Sequence, residues 1–160
     1  MRSKLTVKIL ISIAICFAVG LIASVATQST VNTWFTTLKK PFFNPPPWLF
    51  APVWIILYIM MGIALALVWH RGLHHLWVKT ALYHFAFQLL LNALWSIVFF
   101  GLKSPFIGLL VITSLIVVLL ITFKWFRIVY KPAAYLLIPY IIWIFFAMAL
   151  NFEIWRLNAF

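Results

Sequence analysis

The chain has 160 residues, 12 of them Lys or Arg and one acidic, for a formal net charge of +11, and 67% are apolar. An ordinary soluble domain carries about one-quarter charged residues, so this composition excludes one and points to a polytopic membrane protein. The basic residues flank apolar runs rather than covering one soluble face, which also argues against a nucleic-acid partner.

Crossing about 30 Å of hydrocarbon takes roughly 20 helical residues at 1.5 Å each. Five windows meet that length, approximately 5–27, 48–69, 78–101, 105–126 and 133–154. The sequence therefore predicts an all-α integral membrane protein, a five-transmembrane-helix bundle with residues 1–160 as one transmembrane domain and nothing left for a soluble one. The first window has a basic start and the small residues Ser24-Val25-Ala26. Its apolar run exceeds the 7–15-residue core of a signal peptide, so a retained helix is expected. Cys16 is the single cysteine and lies inside that window, where its expected role is packing.

Helices one and two are joined by the long connection of the chain, which contains Lys39, Lys40, Pro41, Asn44, Pro45, Pro46 and Pro47. Consecutive prolines lack amide donors and hold extended geometry, so a stiff, non-helical cover is predicted. Its aromatics, Trp34, Phe35, Phe42, Phe43 and Trp48, suit a lid over a cavity, with interfacial anchoring as the alternative. In helix two, Trp54, Tyr58 and Met61 share a face.

His70 and His74 are four apart, but they straddle Arg71-Gly72 in a short turn with His75 beside them. A solvated interfacial cluster is expected there, and no metal. On helix three, His84, Gln88, Asn92, Trp95, Ser96 and Phe99 step by three or four residues and share a side. His84 is expected to be a hydrogen-bonded helix histidine and not an axial haem ligand. Ser104-Pro105 starts helix four as an N-cap followed by proline, and Lys131-Pro132 does a similar job for helix five. Pro139 leaves the Tyr135 carbonyl without a helical donor, which predicts a kink. Beyond it, Trp143, Ala147, Leu150 and Asn151 fall on one face.

Glu153 is the sole carboxylate. That excludes paired-carboxylate hydrolysis, carboxylate-held divalent metals and a Ser-His-Asp arrangement, and it argues against an acidic proton relay. Its expected partner is Arg156 at i+3. There is no internal repeat to support an inverted-repeat transporter. Eight basic residues (Arg2, Lys4, Lys8, Arg71, Lys79, Lys124, Arg127, Lys131) fall on the amino-terminal side and four (Lys39, Lys40, Lys103, Arg156) on the other. The positive-inside rule then puts the N-terminus in the cytoplasm and the proline-rich loop and C-terminus outside, in a bacterial inner membrane.

An unpartnered polar group is costly in hydrocarbon, so these faces are expected to converge on each other or on a bound molecule. For any one amide, helix-to-helix bonding explains it as well. Nine tryptophans favour a pocket for a flat aromatic ligand, since stacking contacts contribute about 0.5–1.5 kcal/mol each beyond burial. Small residues at helical spacing, Ala14 with Ala18, Gly20 with Ser24 and Gly62 with Ala66, suggest oligomerisation.

The run from Leu38 through Lys39-Lys40-Pro41-Phe42-Phe43-Asn44-Pro45-Pro46-Pro47-Trp48 to Trp54, Tyr58 and Gly62 resembles the signature of the tryptophan-rich sensory protein, or translocator protein, family. Gln88-Leu-Leu-Leu-Asn92-Ala-Leu-Trp95-Ser96 and Pro139-Tyr140-Ile-Ile-Trp143 on to Ala147, Leu150 and Asn151 resemble its third- and fifth-helix motifs, so the likeness spans nearly the whole chain. The resemblance implies a five-helix bundle, commonly a homodimer, with a pocket roofed by the first loop. That pocket would take porphyrins (protoporphyrin IX or haem) and isoquinoline or benzodiazepine-type drugs, with no tightly required cofactor. It assigns Trp54, Asn92, Trp95, Trp143, Ala147 and Leu150 to the pocket, and Trp34 and Phe35 to its approach. If the family's light-dependent porphyrin breakdown applies, Trp54 and Trp143 are the matching indoles. The animal proteins' sterol-recognition stretch departs here, with Phe152 in place of its tyrosine and an added Glu153, so cholesterol binding is not carried over. Reversible binding with a sensory output is the first reading, and transport and photo-oxidation are the alternatives.

Overall fold

The structure, a computed structural model, describes residues 2–159. Among these residues seven helices follow in order: α1 (Arg2–Val31), α2 (Trp34–Thr37), α3 (Pro47–Trp69), α4 (Leu76–Ser96), α5 (Pro105–Val129), α6 (Lys131–Tyr135) and α7 (Ile138–Asn158). A π-helical turn, Ile97–Gly101, extends α4. Among the described residues, five spans are long and apolar enough to cross a membrane, with α6 and α7 counting together as the fifth. Helices are the open-ended solution to this composition, because hydrocarbon offers the backbone no hydrogen-bond partner and a helix satisfies its own.

The five windows reappear, with α1 extending several residues at both ends of its predicted range. Three local differences have physical causes. Residues Trp34–Thr37, expected to be non-helical, form one helical turn, and only the proline-containing remainder is extended. Within it a tight turn closes where the Asn44 amide donates to the Pro41 carbonyl at 3.1 Å. The kink expected at Pro139 falls earlier, as a break at Leu136 and Leu137 that separates α6 from α7. Missing the Pro139 donor, the chain tightens, and the Leu137 amide donates three residues back to Ala134 at 2.9 Å. Pro139 then sits in the first turn of α7, where a proline costs least. The third difference is at α6, where Tyr130 occupies the N-cap and Lys131 is already helical. Ser104 caps α5 as expected, accepting from the Ile107 amide at 3.3 Å.

Two glycines set the spacing of α1 against α3. A Cβ on Gly62 would lie 2.6 Å from the Ile13 Cα, and one on Gly20 would lie 2.6 Å from the Tyr58 ring. Gly62 and Ala66 are therefore spent inside the bundle and Gly20 faces Tyr58, whereas Ala14 and Ala18 stay on the outer surface. Cys16 is fully buried in the core.

Candidate functional site

The ends of α1, α3, α4 and α7 that meet the proline-rich loop enclose a cavity of about 850 Å³. Trp54 and Tyr58 from α3 stack in its wall at 5.5 Å, and Trp54 meets Trp143 of α7 edge-on at 6.4 Å and 89°. Trp95, Ser96, Phe99 and Phe100 come from α4 and its π turn, and Ala147, Leu150 and Asn151 from α7. The π turn brings Phe99 and Phe100 into the wall as adjacent rings, 4.7 Å apart and edge-to-face.

Not every expected residue is in that wall. Gln88 and Asn92 lie beneath it, in a buried network with two tyrosines. The Asn92 amide donates to the Tyr140 hydroxyl at 2.7 Å, which donates to Gln88 Oε1 at 2.9 Å, while Tyr58 donates to Asn92 Oδ1 at 3.3 Å. These amides join α3, α4 and α7, which is the helix-bonding role. His84 lies further from the cavity, its Nδ1 2.8 Å from the Thr80 carbonyl and its ring stacked near Trp125. Among the described residues no group of three or more His, Cys, Asp or Glu could hold a metal. Glu153 pairs with Arg156 at 2.6 Å near the end of α7.

The loop closes over the cavity through identifiable contacts. The Lys39 amide donates to Asn158 Oδ1 at 3.0 Å, and Asn158 Nδ2 returns a bond to the Lys39 carbonyl at 2.9 Å. Phe43 meets Phe146 edge-on at 6.1 Å. Lys40 and Pro45 line the cavity with Asn44, whereas Lys39, Pro41 and Pro46 lie outside its wall. The Lys40 ammonium sits 4.7 Å over the Phe35 ring and donates to the Leu38 carbonyl at 3.3 Å. Phe35 lines the cavity, and Trp34 packs edge-on against Phe99 just outside it.

Two polar atoms at this site are buried without a protein partner, the Trp143 indole Nε1 and Asn44 Oδ1. The wall carries the Lys40 cation and no carboxylate. A more open hollow of about 660 Å³ lies on the other side of the loop, between Phe42, Phe43 and Phe152. Of its charged groups, Glu153 and Arg156 are paired with each other, and Lys40 is shared with the larger cavity.

A whole wall was missed in the sequence. Phe17, Gly20, Ala23, Ser24, Thr27 and Val31 of α1 line the cavity. Gly20 and Ser24, which read as an oligomerisation pair, here leave room for the cavity. The readable signal was small residues recurring at i, i+3, i+4 and i+7 from Gly20.

The family model for the TspO/MBR family matches residues 12–156. This chain belongs to the TspO/MBR family. Among TspO/MBR relatives, it is 45% identical to the tryptophan-rich protein TspO of Chlorobaculum tepidum, over 98% of this chain and 99% of that one. It is 35% identical to a tryptophan-rich sensory protein of Cereibacter sphaeroides, covering 88% and 87%. The human translocator protein is 36% identical, covering 78% and 75%. Membership together with five apolar spans makes this an integral membrane protein of the sensory and translocator type.

Proposed function

We propose that the protein is a binding and sensory receptor for flat aromatic molecules, with porphyrins of the protoporphyrin IX type as the favoured guests and isoquinoline or benzodiazepine-type compounds as further ones. The observation that carries this reading is the cavity of about 850 Å³ walled by Trp54, Trp95 and Trp143 with Lys40 as its charged group. That size lies in the range of small-molecule sites, about 300–1,000 Å³, and apolar walls with a few placed polar groups are their usual chemistry. A tetrapyrrole ring would stack against the indoles, and a propionate would reach Lys40. Titrating protoporphyrin IX into the purified protein while following tryptophan quenching tests the assignment. Trp54→Ala and Trp143→Ala are expected to weaken binding, and unchanged affinity in both would reject it.

A second reading rests on the Trp54–Trp143 pair, two indoles in edge contact at the wall. Light-driven oxidation of a bound porphyrin by dissolved oxygen beside these rings would make the protein consume its guest. Illuminated incubation with product analysis separates the two readings, because a receptor returns the porphyrin intact. The cavity end carries Lys39, Lys40, Lys103 and Arg156, the less basic side, so we place it outside the cytoplasm of a bacterial inner membrane. A homodimer is part of the same proposal, and the exposed Ala14 and Ala18 offer a small-residue seam for it.

A further inference from the structure

We propose that the cavity loads sideways, from the lipid of the leaflet at its own end, through a window between the second half of α1 and the first turns of α3. The inference rests on the reading that the cavity holds an aromatic guest. The walls contributed by α4 and α7 are buried or half-buried, and the exposed wall residues are Leu21, Asn32, Thr36, Pro47, Ala51 and Ile55. All six belong to α1, to α2 and the corner before it, or to the first turns of α3, so the opening has one side.

The lips of that opening are apolar and at membrane depth. Leu21 is 64% exposed and Ile55 48% exposed although both line the cavity. Leu21 is ten residues from the end of α1 and Ile55 eight from the start of α3, which puts them about 12–15 Å inside the helix ends at 1.5 Å per residue. The helices touch at Gly62 with Ile13 and at Gly20 with Tyr58, and beyond Gly20 the residues of both helices turn into cavity wall. The window therefore has a fixed sill, the Gly20–Tyr58 contact.

The route through the roof is obstructed by comparison. Two reciprocal hydrogen bonds hold Lys39 to Asn158, and Phe43 lies against Phe146. An amphiphilic aromatic dissolved in the leaflet keeps its ring among acyl chains and its carboxylates near the headgroups. Moving laterally past Leu21 and Ile55, it would bring that same polar end to Lys40 without turning over.

The test uses the full-length protein in phosphatidylcholine vesicles with protoporphyrin IX as probe. A Leu21→Cys, Ile55→Cys pair in a Cys16→Ala background is bridged with a membrane-permeant bis-maleimide. Bridging after loading is expected to slow release into empty vesicles at least tenfold, and bridging before loading to slow uptake to the same extent. Adding Asn158→Ala, which frees the roof, is expected to leave the guest trapped. Exchange at the unbridged rate, or exchange restored by Asn158→Ala, overturns the window. Tryptophan quenching in the unbridged protein reports separately on the guest, and its absence overturns the proposed function and the window with it.

Discussion

The indole N–H of Trp95 donates to Asn151 Oδ1 at 2.9 Å, joining the cavity wall to the frame of the bundle. Asn151 Nδ2 in turn donates to the Pro105 carbonyl at 2.8 Å, so one side chain of α7 engages both α4 and α5. Gly108 makes room for it, since a Cβ there would stand 3.1 Å from Asn151 Oδ1 and 3.2 Å from Phe99.

Replacing Asn151 with Leu, close in volume but apolar, leaves a buried indole N–H without an acceptor. Stranding a buried donor costs about 1–3 kcal/mol. Thermal melts in detergent are expected to show a lower Tm for Asn151→Leu than for the parent. Guest affinity is expected to fall as well, because Trp95 loses its fixed orientation. An unchanged melt would show that the contact contributes nothing net.

The tyrosines beneath the cavity are ranked by their bonds. Tyr140 is fully buried and serves both Asn92 and Gln88, whereas Tyr58 makes one longer bond to Asn92. Tyr140→Phe strands two amide groups and Tyr58→Phe one, so the first is expected to destabilise by about twice the second, within the range of about 1–3 kcal/mol per stranded group. Comparing the unfolding transitions of the two variants checks the order, and equal losses would contradict it.

Helical periodicity told which side of a helix each residue occupies, and it did so well for α3, α4 and α7. It carries no information on depth. Asn92 shares a face with Trp95 and Ser96, yet one turn along the axis moves it about 6 Å, from the wall to the network under it. His84 lies two further turns away and meets Trp125 instead. The α1 wall was missed for another reason: its small residues at helical spacing suit a helix–helix seam as well as a cavity, and their contribution is the volume they leave empty. The break at Leu136 was half legible, since the missing donor of Pro139 was plain in the sequence but the position at which the chain absorbs it depends on packing.

Glycine substitutions should separate contact from open space. At Gly62 an added methyl meets the backbone of α1 at 2.6 Å, which no side-chain rotation relieves. At Gly101 the nearest atom is 3.6 Å away, an ordinary contact. Gly62→Ala is expected to cost about 1–3 kcal/mol through overpacking, and Gly101→Ala to remain near the parent. Yield of folded protein and Tm together give the comparison.

Lys40 is the cation in the cavity wall, and its role should depend on the charge of the guest. Lys40→Met retains most of the aliphatic stem and removes the ammonium. Protoporphyrin IX is expected to bind roughly tenfold more weakly, in keeping with about 1.5 kcal/mol for a charge-assisted contact. Its dimethyl ester, with no carboxylate, is expected to be insensitive. Equal losses for acid and ester would mean that Lys40 only shapes the loop through Phe35.

Trp143 permits a test in which stability and affinity move in opposite directions. Its Nε1 is buried without a protein partner, so the empty protein carries the desolvation cost of an unused donor. Trp143→Phe removes that donor while keeping an aromatic ring against Trp54 and Phe146. The smaller ring also loses packing, which offsets part of the gain, so the empty variant is expected to melt at or slightly above the parent temperature. A guest that accepts a hydrogen bond at this position is expected to bind the variant several-fold more weakly, whereas an analogue lacking that acceptor is not. Should Trp143→Phe lower stability and leave the affinity of every guest untouched, the indole would be structural, and the donor in the wall would have no ligand to serve.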